Sequence, residues 1–193
     1  MEGQDQITNY LVGPRVKLVK FTDRHITAPY IGWLNNHKVN RYLCTGRLPV
    51  ANSDVNVPAG DKNLLYAMLS KLRLDSGDKI WASDNYDNYI GTISLHDIDW
   101  IARKAEVGYM IGEQSHWGIG IATEVIGLVA NHGFNRLNLN KITAGVVDGN
   151  TGSIKALEKN GFKQYGTNPQ DYYLEGKYLD VHRFYKLREW LNA

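Results

Sequence analysis

Apolar side chains recur along this chain in two different spacings. Alternating or continuous apolar and aromatic positions predict β-strands at residues 15–21, 79–83, 89–95, 105–111, 141–147, 172–174 and 178–187. Apolar positions three and four residues apart predict helices near Pro29, around 39–43, over 61–74, after Gly118 and over 150–160. The pattern therefore predicts a protein with both strands and helices, of the α/β (α+β) class.

Two segments of this pattern carry specific expectations. The helix over 61–74 is predicted because four of its apolar residues would share one helical face: Leu65, Met68, Leu69 and Leu72. The strands at 79–83 and 89–95 predict a hairpin that turns at residues 84–88, where Asp and Asn are frequent.

The connections between elements can also be predicted. Residues 44–60 are rich in Gly, Pro, Asn and Ser and have little periodicity, which indicates a long loop, and such loops are often functional. Turns are expected at Asn168–Pro169 and Glu175–Gly176. Gly161 should end the helix over 150–160 as a C-terminal cap.

The length and composition are those of one globular domain. The 193 residues, 43% hydrophobic and 22% charged, suffice for a single sizeable core, so we expect one domain over residues 1–193. The formal net charge is only +2, and Lys and Arg form no cluster. This charge pattern argues against a nucleic-acid partner.

The compartment is indicated by cysteine content and by the lengths of apolar runs. Cys44 is the single cysteine and cannot form an intramolecular disulfide, which favours a reducing compartment. No run approaches the roughly 18 apolar residues that cross a bilayer, and residues 1–6 do not resemble a secretory signal. We therefore expect a cytoplasmic protein without a membrane partner.

The segment Trp117-Gly118-Ile119-Gly120-Ile121-Ala122-Thr123-Glu124 lies between a predicted strand and a predicted helix. A glycine-rich turn at the start of a helix leaves several backbone N–H groups without intrahelical acceptors and directs them, with the positive end of the helix dipole, at one place. Such a place suits a phosphate. Gly118 and Gly120 would let the backbone approach the phosphate because they carry no side chain.

The spacing of the glycines narrows the class of phosphate site. No Lys-Ser or Lys-Thr follows them, which does not support a triphosphate loop, and the third glycine of the dinucleotide fingerprint is absent. The pattern Trp117-x-x-Gly120-x-Ala122 resembles the pyrophosphate loop Gln/Arg-x-x-Gly-x-Gly/Ala of the Gcn5-related N-acetyltransferases (GNAT). The match is to the variant of the branch named for ribosomal-protein N-terminal acetyltransferases. Trp117 departs from the family's Gln or Arg, which matters little for a loop that works through backbone amides.

A second motif, Asn150-x-x-Ser153-Ile154-x-x-Leu157-Glu158-Lys159-x-Gly161-Phe162, resembles the fourth-helix motif of the same family. The two motifs follow one another in the family order, and the resemblance covers about residues 79–187. It implies the GNAT fold, a mixed, mostly antiparallel twisted sheet of six to seven strands. About four helices would flank this sheet, which would be splayed between its fourth and fifth strands.

The resemblance also implies acetyl-coenzyme A as a co-substrate in the splay, and no metal. Backbone groups of Met110, Ile111 and Gly112 would pair with the pantetheine arm as an added strand does. Asn150 and Ser153 would contact the pantetheine arm or the thioester, and Asn150 would also cap its own helix. The pyrophosphate would lie on a loop formed by Trp117, Gly118, Ile119, Gly120, Ile121, Ala122 and Thr123.

Direct acetyl transfer needs an unprotonated amine and a proton donor for the departing thiolate. Glu106, by its distance from Trp117, lies where relatives carry a catalytic glutamate and is the predicted base; an outward-facing structural carboxylate is the alternative. His96 is the rival base. Leu157 stands where many relatives have an acidic tyrosine, so Ser153 is the nearest matching hydroxyl, with helix capping as its alternative role. The sequence shows no recognisable nucleophile with an adjacent base, so we expect direct transfer and not a covalent acetyl-enzyme.

The acceptor pocket of this family is formed by the first two helices, the following loop and the terminal hairpin. Residues 30–36 and 39–43 resemble acetyltransferases of bacterial surface-polysaccharide pathways, which acetylate amino groups of nucleotide-linked sugars. Aromatic rings stack on bases and sugars, and arginine binds diphosphate. The predicted substrate-binding residues are Trp33, Arg41, Tyr42, Trp81 and His96. Core packing is the alternative for Trp33 and Tyr42.

Three functions are open at this level. The first is an N-acetyltransferase acting on a small-molecule amine, with a nucleotide-linked amino sugar as the leading acceptor. The second is a ribosomal-type protein N-terminal acetyltransferase. The third is a non-catalytic sensor of acetyl-coenzyme A. The acceptor is not fixed by the sequence, and a homodimer is an open option.

Overall fold

The computed structural model describes residues 11–44, 48–57, 62–70, 72–73, 80–81 and 89–189. The strands in these ranges are β1 Leu11–Val12, β2 Val16–Lys20, β3 Leu64–Ser70, β4 Leu72–Arg73, β5 Ile80–Trp81, β6 Tyr89–Asp99, β7 Lys104–Ile111, β8 Lys141–Val147, β9 Lys163–Leu174 and β10 Lys177–Leu187. The α-helices are α1 Ala28–Asn35, α2 His37–Asn40, α3 Ile121–Asn135 and α4 Thr151–Lys159. None of the helices in these ranges combines the length and the apolar character needed to span a bilayer.

Eight of the strands form one mixed sheet. Its order is β1, β2, β3, β6, β7, β8, β10, β9, and all neighbours are antiparallel except β7 and β8. β4 and β5 form a separate two-stranded ribbon. The mixed, mostly antiparallel sheet with its flanking helices confirms the predicted fold, with a sheet somewhat wider than expected.

The two parallel strands in the sheet soon separate. β7 pairs with β8 only from Lys104 to Glu106, opposite Lys141 to Thr143. β7 then continues to Ile111 without a β8 partner, while β8 pairs with β10 along its other side. This divergence is the predicted splay, and the glycine-rich loop follows directly after β7.

Apolar side chains pack against both faces of the sheet. On one face, α3 and α4 contribute buried residues such as Val125 and Leu157. On the other face, α1 contributes Tyr30 to a second cluster. Successive residues of a strand point to opposite faces, so β7 places Val107 in the first cluster and Met110 in the second.

Pro29 and Gly161 lie at helix ends as predicted, and the N-cap of α1 is Thr27. Pro29 lies in the first turn of α1, where the missing N–H costs nothing, and Thr27 caps this helix by accepting the N–H of Tyr30 at 3.4 Å. Gly161 follows α4 with φ of 76°, a conformation that glycine adopts without steric cost.

The helix predicted over residues 61–74 is wrong. β3 occupies this segment and pairs with β2 and β6 inside the sheet, and its residues from Tyr66 to Ser70 are all buried. A strand covered on both faces has a nearly continuous apolar sequence. The helical spacing of Leu65, Met68 and Leu69 is therefore a by-product of that continuity.

The hairpin predicted between residues 79–83 and 89–95 is also wrong. Within the described ranges β5 pairs with β4, with Trp81 opposite Leu72, whereas β6 pairs with β3 and β7. The predicted turn at 84–88 lies outside the described residues.

One of the two turns predicted near the C-terminal hairpin is confirmed. Glu175 and Gly176 have φ of 48° and 83° and connect β9 to β10. Asn168–Pro169 is not a turn but lies inside β9. Leu179 pairs with Tyr172 and Val181 with Asn168, so residues 169–171 form a bulge. Pro169 is tolerated because β9 is an edge strand.

Candidate functional site

The glycine-rich loop leads into α3 with an open set of hydrogen-bond donors. Gly118 and Gly120 have φ of 74° and 87°, and Gly120 is the N-cap residue. In the described part of the chain, no oxygen accepts a hydrogen bond from the backbone N–H groups of residues 118–123. Consecutive donors of this kind at the positive end of a helix are suited to binding an anion.

The two glycines serve different purposes. A Cβ atom at Gly118 would meet nothing within 4 Å, so this position needs glycine for its positive φ. A Cβ atom at Gly120 would lie 3.1 Å from Nη1 of Arg15. A side chain at Gly120 would therefore displace Arg15.

Backbone groups of β7 alternate between β6 and the splay. Gly112 donates its N–H to a β6 carbonyl at 2.8 Å, so the antiparallel ladder turns the backbone of Met110 towards β6 and that of Ile111 towards the splay. The Ile111 carbonyl accepts a hydrogen bond from Nε1 of Trp117 at 2.8 Å. Of the predicted pantetheine contacts on β7, only Ile111 faces the splay. Tyr109, which the prediction missed, faces it by the same alternation.

Two hydroxyl groups meet at the start of α4. Asn150 caps the helix, as predicted, by accepting the N–H of Ser153 at 3.3 Å. The hydroxyl of Tyr109 donates to Oγ of Ser153 at 2.8 Å. Burial raises the pKa of the Tyr109 phenol, although its hydrogen bond to Ser153 acts in the opposite direction. The phenol therefore keeps its proton at neutral pH.

Glu106 forms an ion pair with Arg183 of β10. Nη2 of Arg183 lies 2.6 Å from Oε2 and Nη1 lies 3.2 Å from Oε1. The guanidinium reaches across β8 at Gly145, which has no side chain to obstruct it. Burial lowers the pKa of Arg183, but the hydrogen bonds and charges of Glu106 and Tyr165 together outweigh burial, so the pKa of Arg183 is raised. A carboxylate has about four lone-pair sites, so this pair leaves acceptor capacity at Glu106.

His96 lies directly opposite Glu106 in the ladder between β6 and β7. Both side chains therefore lie on the face that carries α1. Nδ1 of His96 is 3.2 Å from Oγ of Ser94. A Cβ atom at Gly108 would lie 3.0 Å from Cε1 of His96, so the absence of a side chain there makes room for the imidazole.

A cavity of about 470 Å³ lies between the first two helices, the following loop and the β9–β10 hairpin. These are the three parts from which the resemblance predicted the acceptor pocket. The residues that line it are Asn35, His37, Asn40, Arg41, Leu48, Pro49, Tyr172, Tyr173, Leu174 and Glu175.

Hydrogen bonds of Tyr172 hold one wall of this cavity in place, and the guanidinium of Arg41 lies in the lining. The hydroxyl of Tyr172 donates to the carbonyls of Arg41 and Leu43, each at 2.9 Å. Nε of Arg41 is buried, and nothing in the described ranges accepts a hydrogen bond from it. Glu175 is the one carboxylate among the lining residues that the structure describes, and its Oε1 lies 3.2 Å from Nε2 of His37. The cavity therefore offers a guanidinium and little negative charge.

Three other predicted acceptor residues, Trp33, Tyr42 and His96, are not among the described residues that line this cavity. Trp33 packs against Gly112 and Tyr89 in the aromatic cluster beneath α1, which is the alternative of core packing. The hydroxyl of Tyr42 would be 3.2 Å from a Cβ at Gly149, next to α4. The side chain of Trp81 lies outside the described residues.

Sequence reasoning missed three residues of this site, namely Arg15, Tyr109 and Arg183. Their partners are Glu124, Ser153 and Glu106. Each pair is far apart in sequence, so no local spacing connects them. Across the described ranges, His, Cys, Asp and Glu side chains form no group of three that could hold a metal ion.

Residues 15–163 match the family model described as acetyltransferase (GNAT) domain. An uncharacterised N-acetyltransferase of Bacillus licheniformis is 38% identical over 102 residues, 53% of this chain and 57% of the relative. A spermidine N(1)-acetyltransferase of Vibrio cholerae is 34% identical over 110 residues, 56% and 63% of the two chains. A putative ribosomal N-acetyltransferase of Bacillus subtilis is 35% identical over 108 residues, 54% and 58%. The matches span less than two thirds of each of these relatives.

Solved structures share the fold. A spermidine N-acetyltransferase from Vibrio cholerae, in complex with CoA and spermine, has a TM-score of 0.73 at 22% identity, over 91% of this chain and 96% of that chain. A ribosomal-protein alpha-N-acetyltransferase in complex with coenzyme A has a TM-score of 0.76 at 17% identity, over 93% and 98%.

Proposed function

The chain belongs to the GNAT acetyltransferase family, and on that premise we propose that it transfers the acetyl group of acetyl-coenzyme A directly to a primary amine. The observation that carries this proposal is the run of backbone donors at residues 118–123, which follows directly after the strand that opens the splay. A diphosphate on these donors would leave the pantetheine arm free to follow the edge of β7.

The chain supplies further groups for this co-substrate. The backbone of Ile111 and Tyr109 faces the splay and offers hydrogen bonds to pantetheine amides. Ser153 and Asn150 lie at the start of α4, on the same side of the sheet as Tyr109. Cys44 is exposed after α2, outside both motifs, which supports direct transfer.

Glu106 is the proposed base. Arg183 fixes the orientation of its carboxylate, and the acceptor capacity that remains can take a proton from the amine, directly or through a water molecule. His96 lies on the neighbouring strand and on the same face. It is the alternative base because its imidazole would approach the same amine.

Ser153 is the proposed proton donor to the departing thiolate. Its Oγ accepts a hydrogen bond from Tyr109, so the proton of the serine hydroxyl is free to point elsewhere. The buried phenol can then restore that proton. Tyr109 and Ser153 would act as one unit on the opposite side of the sheet from Glu106 and His96.

The proposed acceptor is the amine of a nucleotide-linked amino sugar, bound in the cavity between α2 and the β9–β10 hairpin. The guanidinium of Arg41 would bind the diphosphate, and the exposed ring of Tyr173 provides a surface for a sugar ring or base. A polyamine would require several carboxylates, whereas the lining residues that the structure describes include one, Glu175, which lies beside His37.

Release of free thiol from acetyl-coenzyme A tests this function. The purified protein is incubated with nucleotide amino sugars, free amino sugars, spermidine and N-terminal peptides. We expect the largest kcat/KM for nucleotide amino sugars. A preference for N-terminal peptides, which the match to the putative ribosomal relative would suggest, would contradict the amino-sugar acceptor. A preference for spermidine would contradict it as well. Tight binding of acetyl-coenzyme A with no thiol release from any amine would instead establish a sensor.

A further inference from the structure

Arg15, just before β2, contacts the outer side of the glycine-rich loop. Its Nη2 donates to the carbonyl of Gly120 at 3.1 Å, and its Nη1 donates to the carbonyl of Ile119. Its Nε lies 2.6 Å from Oε2 of Glu124, in the first turn of α3. One guanidinium thus binds two successive loop carbonyls and a carboxylate.

The anchoring carboxylate is itself fixed by the backbone. Oε1 of Glu124 accepts the N–H groups of Arg15 at 2.8 Å and Val16 at 3.2 Å. The side chain of Glu124 is 8% exposed and that of Arg15 is 35% exposed. This largely enclosed arrangement joins the start of β2 to the start of α3.

These contacts determine which way the loop amides point. The described chain has no cis peptide bonds, and in a trans peptide the C=O and N–H groups point in opposite directions. Arg15 draws the carbonyls of Ile119 and Gly120 towards itself. The N–H groups that share those peptides, on Gly120 and Ile121, therefore point away from Arg15, into the proposed anion site.

Arg15 also balances a charge that would oppose an anion. Glu124 lies in the first turn of α3, close to where a diphosphate would meet the loop amides. An uncompensated carboxylate there would repel the diphosphate through an enclosed, weakly screened path. The ion pair with Arg15 removes this repulsion, and hydrogen bonding to the cation polarises the two peptides and strengthens their donors.

We propose that Arg15 is a positioning residue for the diphosphate of the acetyl donor: it orients the loop amides and neutralises Glu124 without belonging to either family motif. This inference rests on the proposed function. It predicts that Arg15 contributes to binding only of those donors that carry a diphosphate.

The test compares coenzyme A with pantetheine, which has the same thiol arm but no diphosphate. Binding of both is measured by titration to the wild-type protein, to Arg15→Met and to Arg15→Lys, with melting temperatures recorded without ligand. Arg136→Met, an exposed arginine at the other end of α3, is the matched control. Failure of wild-type protein to bind coenzyme A would contradict the proposed function itself, independently of the variants.

We expect Arg15→Met to weaken coenzyme A binding by about tenfold to hundredfold, the range for a lost charged hydrogen-bond network. Pantetheine binding should change less than about twofold, because no charge-assisted contact to it is lost. Arg15→Lys should lie between wild type and Arg15→Met, since an ammonium can still neutralise Glu124 but cannot bind both carbonyls at the same time. Equal weakening of both ligands, or no weakening of coenzyme A, would overturn the assignment.

Discussion

The guanidinium of Arg183 binds both carboxylate oxygens of Glu106, at 2.6 and 3.2 Å, across the intervening strand β8. This contact fixes the orientation of the proposed base at the vertex of the splay. It also uses part of the acceptor capacity of that carboxylate. The most informative test is therefore whether Glu106 or His96 accepts the proton of the amine.

Glu106→Gln keeps the side-chain shape and removes its basicity. Turnover should fall by about 10² or more near neutral pH, and the acidic limb of the rate profile should flatten. The affinity for acetyl-coenzyme A should not change, because its proposed contacts are elsewhere. Steady-state kinetics over pH and calorimetry check this, with Glu158→Gln on the exposed face of α4 as the control.

A different result would assign the role of general base to another residue. Near-normal turnover in Glu106→Gln, together with loss of activity in His96→Ala, would assign proton acceptance to His96. Glu106 would then be a structural partner of Arg183.

Tyr109 and Ser153 should behave as one unit. Tyr109→Phe and Ser153→Ala should each lower kcat by about tenfold or more, while the KM for acetyl-coenzyme A changes little. The double variant should be no slower than the slower single variant, because both changes interrupt one proton path. Additive losses would contradict this path. Tyr178→Phe, at an exposed tyrosine in the C-terminal hairpin, controls for general effects of removing a hydroxyl.

Arg41→Gln tests the cavity. Loss of the guanidinium should raise the KM for a nucleotide amino sugar by about tenfold, since one charge-assisted contact to diphosphate is lost. The KM for acetyl-coenzyme A should not change. Lys38→Gln removes an exposed charge from the same helix without changing the cavity lining and is the control. An equal effect of both variants would show that only net charge matters.

Substitutions at Gly118 can change the charge at the proposed anion site without changing the shape of the side chain. Asp and Asn both tolerate the positive φ of this position, and a Cβ atom there meets nothing within 4 Å. Gly118→Asp should bind coenzyme A about tenfold or more weakly than Gly118→Asn, because only Asp adds a negative charge beside the diphosphate. Titration calorimetry measures the difference. Equal affinities would contradict a diphosphate site on this loop.

Two buried imidazoles should make stability depend on pH. Burial lowers the pKa of His25 from 6.5, opposed by a hydrogen bond to Thr22, and burial together with the charge of Arg136 lowers the pKa of His132. Below about pH 6.5 the unfolded chain binds protons that the folded chain does not, so the free energy of unfolding falls as the pH decreases.

Denaturant unfolding at pH 7.5 and 5.5 measures this loss of stability. His25→Phe should reduce the pH dependence, because Phe keeps a ring against Phe21 and Tyr89 without a titrating group. His37→Gln, at an exposed position, should leave it unchanged. An unchanged pH dependence in His25→Phe would contradict the role of this imidazole.

Local features of the sequence predicted much of the fold and one half of the site. The loop at Gly118 and Gly120, the cap at Asn150 and the end of α4 at Gly161 each depend on a few neighbouring residues, so their spacing is informative. β3 was mistaken for a helix because its burial on both faces is a property of the whole sheet.

The remaining parts of the site depend on contacts between distant residues. Arg183 and Glu106 are 77 residues apart, and Arg15 and Glu124 are 109 apart. A single sequence contains nothing that pairs one arginine with one carboxylate over such separations. The alternation of β7 backbone groups similarly follows from its pairing with β6, which the predicted hairpin did not include.

The position of β10 between β8 and β9 determines the order in which the site can assemble during folding. β9 precedes β10 in sequence but does not touch β8, so β9 has no place in the sheet until β10 is available. The two strands share a tight turn at Glu175–Gly176 and can form locally as a hairpin, which then docks through β10. Docking of this hairpin brings Arg183 to Glu106 and Tyr172 to the carbonyls after α2. The proposed base and the wall of the acceptor cavity therefore both depend on the docking of this one hairpin.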